Sequence, residues 1–389
     1  MQESKVVVKQ CKQYDEQTLS SKLKDGFDLL GGLGKFIKSN TTVLIKPDLY
    51  MGTHPDTAKT THPNIVSALA EIISKIGAKC IIADSPKGNY NQSNLDNVYM
   101  KTQMLQASNN GYASLNSNES ICVVNNPTGE YSRDIYLIDA INDADVIINV
   151  GKFRCDKYLG LVGCSQNIFG LVPGQFKELI KSRCYKLKSY YNYLIDLNEV
   201  LEDKIVLNVL DAIVSCEAND DPRILNSLLI GDNPYAVDSV ALQIINQDAK
   251  ENLLINESVR RNKFNHKVEI LGDDIQSLVC SDYNYTKFLD NIKSGGENLF
   301  KCEYKLIQKR PVIATEKCKG CKMCASNCPM KAIGMQTGII GQHAEIDYNK
   351  CITCFKCVES CPYKVITTKK PIKYKAIDKM IKKHMANQK

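Results

Sequence analysis

The chain has 389 residues, 43% of them hydrophobic and 24% charged, with a formal net charge of +7. That length suits two or three domains, and no apolar run approaches the roughly 18–20 residues that span a bilayer. Lys369–Lys389 holds eight Lys and one acid, which leaves 42 basic and 42 acidic residues elsewhere and excludes a basic nucleic-acid-binding body.

Met1–Gln10 lacks the basic start and apolar core of a signal peptide, so a cytoplasmic protein without a transmembrane segment is expected. Strand candidates follow in chain order: Val6–Val8, Thr42–Ile45, Lys79–Ala83, Ile121–Val124, Val146–Val150, Ile205–Leu210, Leu228–Ile230 and Val268–Leu271. Helices are expected over Asn64–Ile76, with apolar residues at helical spacing, and over Pro234–Ile245, where Pro stands at the first turn. This alternation predicts an α/β domain over residues 1–280 with a largely parallel sheet. Residues 281–310 read as a linker and 311–368 as a small α+β ferredoxin-like domain. Residues 369–389 read as a basic amphipathic tail, either docked on its own protein or meeting an acidic partner or membrane surface.

Seventeen cysteines in a cytoplasmic chain argue for metal rather than disulfides. Eight lie in two runs, Cys318, Cys321, Cys324 and Cys328-Pro329, then Cys351, Cys354, Cys357 and Cys361-Pro362. Both fit C-x₂-C-x₂-C-x₃-C-P, the two-cluster bacterial ferredoxin spacing. Three close thiolates wrap one cubane and the fourth crosses to the other. The pattern therefore predicts two [4Fe–4S] clusters, one on Cys318, Cys321, Cys324 and Cys361 and one on Cys351, Cys354, Cys357 and Cys328. Zinc also takes four thiolates, but commonly from separated CxxC pairs. One-electron transfer follows, with a soluble electron donor or acceptor protein as partner and an anaerobe as the expected setting.

In open α/β sheets ligands sit beyond the carboxyl ends of the strands. There the sequence offers Lys46, Asp48, His62, Asp84, Lys152, Arg154 and Asp211. Lys46, Lys152 and Arg154 suit an anionic small-molecule substrate, and His62 or Asp84 suits acid–base work. Lys46 and Lys152 are expected to converge in one cationic cleft. The plainer reading is that loops are polar. Cys155 and Cys164 read as buried structural thiols or as a reactive or metal-binding pair. Gly160, Gly163, Gly170 and Gly174 match no phosphate-loop pattern and read first as turns.

Several runs together resemble the family catalogued as domain of unknown function 362: Val43-Leu-Ile-Lys46-Pro47-Asp48, Ile147-Ile-Asn-Val-Gly-Lys152, Gly163-Cys-Ser-Gln-Asn167-Ile-Phe169-Gly170, Asp211-Ala-Ile and Ile230-Gly231-Asp-Asn-Pro234-Tyr-Ala-Val-Asp238. The resemblance covers about residues 5–250. It implies an iron–sulfur protein whose members often carry a C-terminal ferredoxin module, and it leaves the reaction open. The chain departs from the family pattern at Asp156, where His is usual, and at Gln166, where Lys is usual. Two functions follow from these residues. One is a ferredoxin-type oxidoreductase acting on a substrate in the α/β cleft. The other is a non-enzymatic electron-transfer or accessory subunit of a larger redox complex.

Overall fold

The computed structural model describes residues 3–156, 159–184, 187–285, 310–328, 331–338, 341–348, 351 and 355–369. Cys354, Pro329, most of the expected linker and all but the first residue of the basic tail lie outside them. The chain divides into two units, Met1–Gly174 with Lys186–Glu297, and Gln175–Tyr185 with Asn298–Lys389. Residues 175–185 thus group with the C-terminal unit, although their sequence stands within the expected α/β stretch.

All eight strand candidates are strands. In chain order the first unit contains β1 (Ser4–Gln10), β2 (Thr42–Pro47), β3 (Lys79–Ile82), β4 (Ser114–Leu115), β5 (Ile121–Asn125), β6 (Asp134–Ile138), β7 (Val146–Asp156), β8 (Gly160–Val162), β9 (Ile205–Cys216), β10 (Pro222–Gly231) and β11 (Val268–Gly272). Its helices are α1 (Glu16–Leu29), α2 (Pro63–Ser74), α3 (Gln92–Lys101), α4 (Met104–Asn109), α5 (Cys164–Asn167), α7 (Leu187–Glu199), α8 (Pro234–Ile244) and α9 (Leu253–Arg260); α6 (Gly174–Arg183) falls, but for its first residue, in the segment grouped with the C-terminal unit.

The main sheet runs β11-β1-β10-β9-β7-β2-β3-β4, with β8 beside β7. Pairs β1/β11, β2/β3, β2/β7, β3/β4 and β7/β9 are parallel. Only β10 and β8 run against their neighbours. The central strands are buried on both faces and so carry near-continuous apolar runs. Ile121–Val124 forms a strand outside this sheet, in the β5/β6 hairpin.

Helix α2 starts where His62 caps it, its Nδ1 accepting the Asn64 amide at 3.2 Å, with Pro63 as the first helical residue. Its buried face includes Ile65, Leu69 and Ile73, each worth about 2 kcal/mol on full burial. Gly77, in the left-handed region, follows its end. Asn233 caps α8 in the same way, accepting from Tyr235 and Ala236 ahead of which Pro234 sits.

The C-terminal unit holds β12 (Arg310–Ile313), β13 (Ile333–Gly338), β14 (Gly341–Ile346) and β15 (Ile366–Lys369), with α10 (Met323–Ser326) and α11 (Lys356–Glu359). Strands β12/β15 and β13/β14 form antiparallel pairs. The repeat seen in the cysteines is present in the backbone. Helices α10 and α11 start 33 residues apart, and residues at the same offset, Lys322 with Phe355 and Lys331 with Lys364, share positive φ. The core is Cys324, Ile333, Ala344, Ile346, Cys357, Cys361 and Ile366.

Candidate functional site

In the C-terminal unit a cavity is lined by Cys318, Cys321, Cys324 and Cys361, with Ile313, Ala344, Val365 and Ile366 as apolar walls. The fourth cysteine of the second run thus joins the first three of the first run. Cys324 and Cys361 are buried, Cys318 is half-buried and Cys321 is exposed. The Ala344 amide donates to Cys318 Sγ at 3.5 Å and the Ala332 amide to Cys328 Sγ at 3.3 Å, contacts that stabilise charge on sulfur. Among the described residues no three Cys, His, Asp or Glu side chains are grouped tightly enough for a single metal ion. Four thiols spread around a cavity fit a cubane, whose bulk separates its ligands. Cys351 and Cys357 pack on the same core, while Cys354 lies outside the described residues.

The α/β unit holds two buried polar clusters, and the sheet register separates them. Lys46 stands opposite Asn149, and Lys152 opposite Asp211. Asn149 and Lys152 are three apart on β7, an odd step, so their side chains leave opposite faces of the sheet. Lys46 and Lys152 therefore do not share one cationic cleft, contrary to the sequence expectation. The expectation also placed Lys152, Arg154 and Asp211 beyond strand ends. They lie inside β7 and β9, which continue to Asp156 and Cys216 because the polar side chains pair across the strands.

In the first cluster Lys46 is 0% exposed. Its Nζ donates to Asn167 Oδ1 and to the Pro47 carbonyl, both at 2.7 Å. Asp84 Oδ1 lies 2.8 Å from the same Nζ as an ion contact, and Asp84 Oδ2 accepts the Leu49 amide at 3.0 Å. Asn167 also donates to Asn149, which donates to Asn208. Gly170 closes over the pair: a Cβ there would collide with Asp84 Oδ1 and Lys46 Nζ. Gly163 likewise leaves room for Asp238, whose carboxylate accepts the Cys164 and Ser165 amides and the Ser165 hydroxyl. These two glycines serve close side-chain approach. Burial pushes Asp238 up to about 6, against the pull of its hydrogen bonds.

In the second cluster Lys152, 1% exposed, donates to Asp211 Oδ2 at 2.8 Å and to the Tyr14 hydroxyl at 3.1 Å. Tyr14 donates to Asp211 Oδ1 at 2.8 Å, and the His62 amide donates to Asp211 Oδ2 at 3.0 Å. The His62 ring stacks on Tyr14 with centroids 3.8 Å apart. Burial pulls His62 down to about 4, with Asp211 opposing and Lys152 adding to the shift. Neutral His62 accepts at Nδ1, which leaves its proton on Nε2. Burial, then the Asp211 charge, pushes the Tyr14 hydroxyl far up. Nearby, Arg154 pairs with Asp48 at 3.2 Å and stacks on Tyr50.

Of the four candidate catalytic residues, Lys46, Asp84 and Lys152 are sealed in, and His62 alone is part-exposed. Each lysine has its own carboxylate, which removes the electrostatic reason to expect an anion between them. Tyr14 was missed by sequence reasoning; it lies 138 residues from Lys152 and carries no local signal. Cys155 and Cys164 are buried, and burial raises both thiols, well above the ordinary value for Cys164, as suits neutral packing groups. Gln166, where the family pattern has Lys, keeps its Oε1 buried without a hydrogen-bond donor among the described residues.

A largely parallel α/β unit joined to a module whose two cysteine runs share a four-cysteine cavity defines an iron–sulfur protein. Residues 310–362 match the 4Fe-4S dicluster domain, and residues 43–243 match the domain of unknown function (DUF362). The chain belongs to the DUF362 family. The thylakoid-associated protein sll1697 of Synechocystis sp. (strain ATCC 27184 / PCC 6803 / Kazusa) is 28% identical over 282 residues, covering 67% of this chain and 84% of that protein. The lactate racemase apoprotein from Thermoanaerobacterium thermosaccharolyticum overlaps with a TM-score of 0.37 at 12% identity, over 58% of this chain and 53% of that one. This chain thus spans about half the length of that structure. Among the described residues no helix is long and apolar enough to cross a membrane.

Proposed function

We propose that this protein carries two [4Fe–4S] clusters and passes single electrons between a soluble carrier and a redox reaction served by the α/β unit. The observation that carries this reading is the cavity lined by Cys318, Cys321, Cys324 and Cys361, drawn from both cysteine runs. Cys351, Cys354, Cys357 and Cys328 would hold the second cluster. Such clusters supply one-electron chemistry tuned by hydrogen bonds to sulfur and by exposure.

In the enzyme form of this reading, His62 handles the proton, since it alone of the four candidates reaches the surface. Tyr14 supports the ring by stacking, and Asp211 anchors its backbone while Lys152 balances the charge. Lys46 and Asp84 hold the opposite face. The sealed ion pairs favour a second reading, an accessory electron-transfer subunit whose α/β unit serves recognition. Mass spectrometry of molecules extracted from anaerobically purified protein separates the two: a stoichiometric organic ligand supports the enzyme. A cytoplasmic setting belongs to both readings, whereas the relative's name points to a membrane surface.

The test of the main reading is anaerobic iron and labile-sulfide analysis with EPR of the reduced protein. About eight of each per chain are expected. Cys361→Ser should damage the cluster of Cys318, Cys321 and Cys324, leaving the other signal. Stoichiometric zinc without iron would overturn the reading, and loss of the Cys351 cluster instead would overturn the ligand assignment.

A further inference from the structure

We infer that the mouth of the Cys318, Cys321, Cys324 and Cys361 cavity is the port through which electrons are exchanged, and that it docks an acidic one-electron carrier protein. The inference rests on the proposed function and adds to it the place and the partner's charge.

Exposure comes first. Cys321 is the one exposed thiol of the four, so a cluster held there would approach solvent on that side. Electron transfer between proteins needs a short gap, so the exposed ligand marks where a partner has to sit.

The surface chemistry around that thiol is specific. Lys319 and Lys322 line the cavity on either side of Cys321, and both are exposed. Tyr363 also lines it and is 52% exposed, and Met323, the residue after Lys322, is 48% exposed. Lys364, next to Tyr363, is exposed as well. The mouth thus combines an aromatic with two flanking cations, and exposed Met323 and Lys364 adjoin its lining residues in the chain. Large exposed apolar side chains among like charges are typical of a docking patch.

The charge of the chain has the same sense. Residues 310–389 carry sixteen Lys and Arg against five Asp and Glu, while residues 1–309 carry 34 against 38. Half of those sixteen lie in the tail from Lys369 on, and residues 310–368 alone still carry eight Lys and Arg against four Asp and Glu, so the redox module is itself net positive. A field of that sign attracts an acidic protein and raises its rate of encounter. On docking, one electron passes between carrier and module, one oxidised as the other is reduced, and no group is transferred.

The competing explanation is that Lys319 and Lys322 only offset the negative charge of a cluster and its thiolates. The two differ in what they move. Full-length protein with its clusters intact is titrated with an acidic flavodoxin at rising ionic strength, and affinity, electron-transfer rate, iron content and midpoint potential are measured. The same is done for the double variant Lys319→Gln, Lys322→Gln. Docking predicts that affinity and rate fall at least about tenfold with salt in the wild type. It also predicts a loss of about three- to tenfold at low salt in the double variant, with iron content and potential unchanged. Wild-type binding indifferent to salt would overturn the port whatever the variant does. A variant that shifts the potential while binding normally would also overturn it. Protein without iron would overturn the proposed function and the port together, whereas full iron with salt-indifferent binding would overturn the port alone.

Discussion

Lys152→Met tests whether the second buried cluster is held together by its ion pair. The change removes one charge from a contact in which both partners are at most 1% exposed. Breaking such a pair from one side costs about 3–5 kcal/mol, because the remaining charge stays buried. Asp211 would keep three donors: the Tyr14 hydroxyl at 2.8 Å, the His62 amide at 3.0 Å and the Ile213 amide at 3.4 Å. These place the loss near the lower bound, about 3 kcal/mol. At about 2–4 °C per kcal/mol for a unit of this size, the melting temperature should fall by roughly 6–12 °C. Thermal unfolding followed by far-UV circular dichroism reads this directly. Adding Asp211→Leu should restore part of the loss, since no buried charge is then left unpaired. A melting temperature within about 2 °C of the wild type would refute the reasoning, since it would mean that the pair contributes under about 1 kcal/mol.

Three further outcomes are expected. His62→Asn keeps a capping side chain and removes a ring held neutral by burial. That ring contributes fully above its ordinary value of 6.5 and loses its contribution as pH falls toward about 4, so the wild type should lose about 2 kcal/mol relative to the variant across that window. Asp238, raised to about 6, has the opposite sign, contributing at low pH and losing it as pH rises through 6; it is common to both proteins and cancels in denaturant titrations compared pairwise. Gly170→Ala should destabilise by about 1–3 kcal/mol through collision with the buried Lys46–Asp84 pair, whereas Gly34→Ala, with nothing within 4 Å of its Cβ, should change stability by less than about 1 kcal/mol in the same assay.

The parts of this protein legible in its sequence are those whose physics is local. Cysteine spacing anticipates the four-cysteine cavity because three of its lining thiols fall within seven residues, Cys318 to Cys324. Apolar runs reveal the strands because a central parallel strand is buried on both faces. The ends of β7 and β9 were not legible. Lys152 and Asp211 look like loop residues taken singly, and only their pairing across two strands keeps them in the sheet. The face on which each lysine emerges depends on register, which one sequence does not display. Tyr14 and Gly170 are further cases: each acts on a partner more than eighty residues away.

The small core of the C-terminal unit has a consequence for how the protein is maintained. Three of its seven buried residues are cysteines, and four non-glycine residues of the repeat, Lys322, Lys331, Phe355 and Lys364, sit in the left-handed region. Each such residue costs on the order of 1 kcal/mol, with little apolar burial to offset it. On the proposed reading the missing stabilisation comes from ligation, so that metal binding and folding are one equilibrium. Iron chelation should then erase the module's protection against proteolysis while the α/β unit stays resistant. In a cell, the supply of iron and sulfide would set how many copies have a folded module, and oxidative loss of a cluster would mark the chain for turnover before its sheet had begun to open.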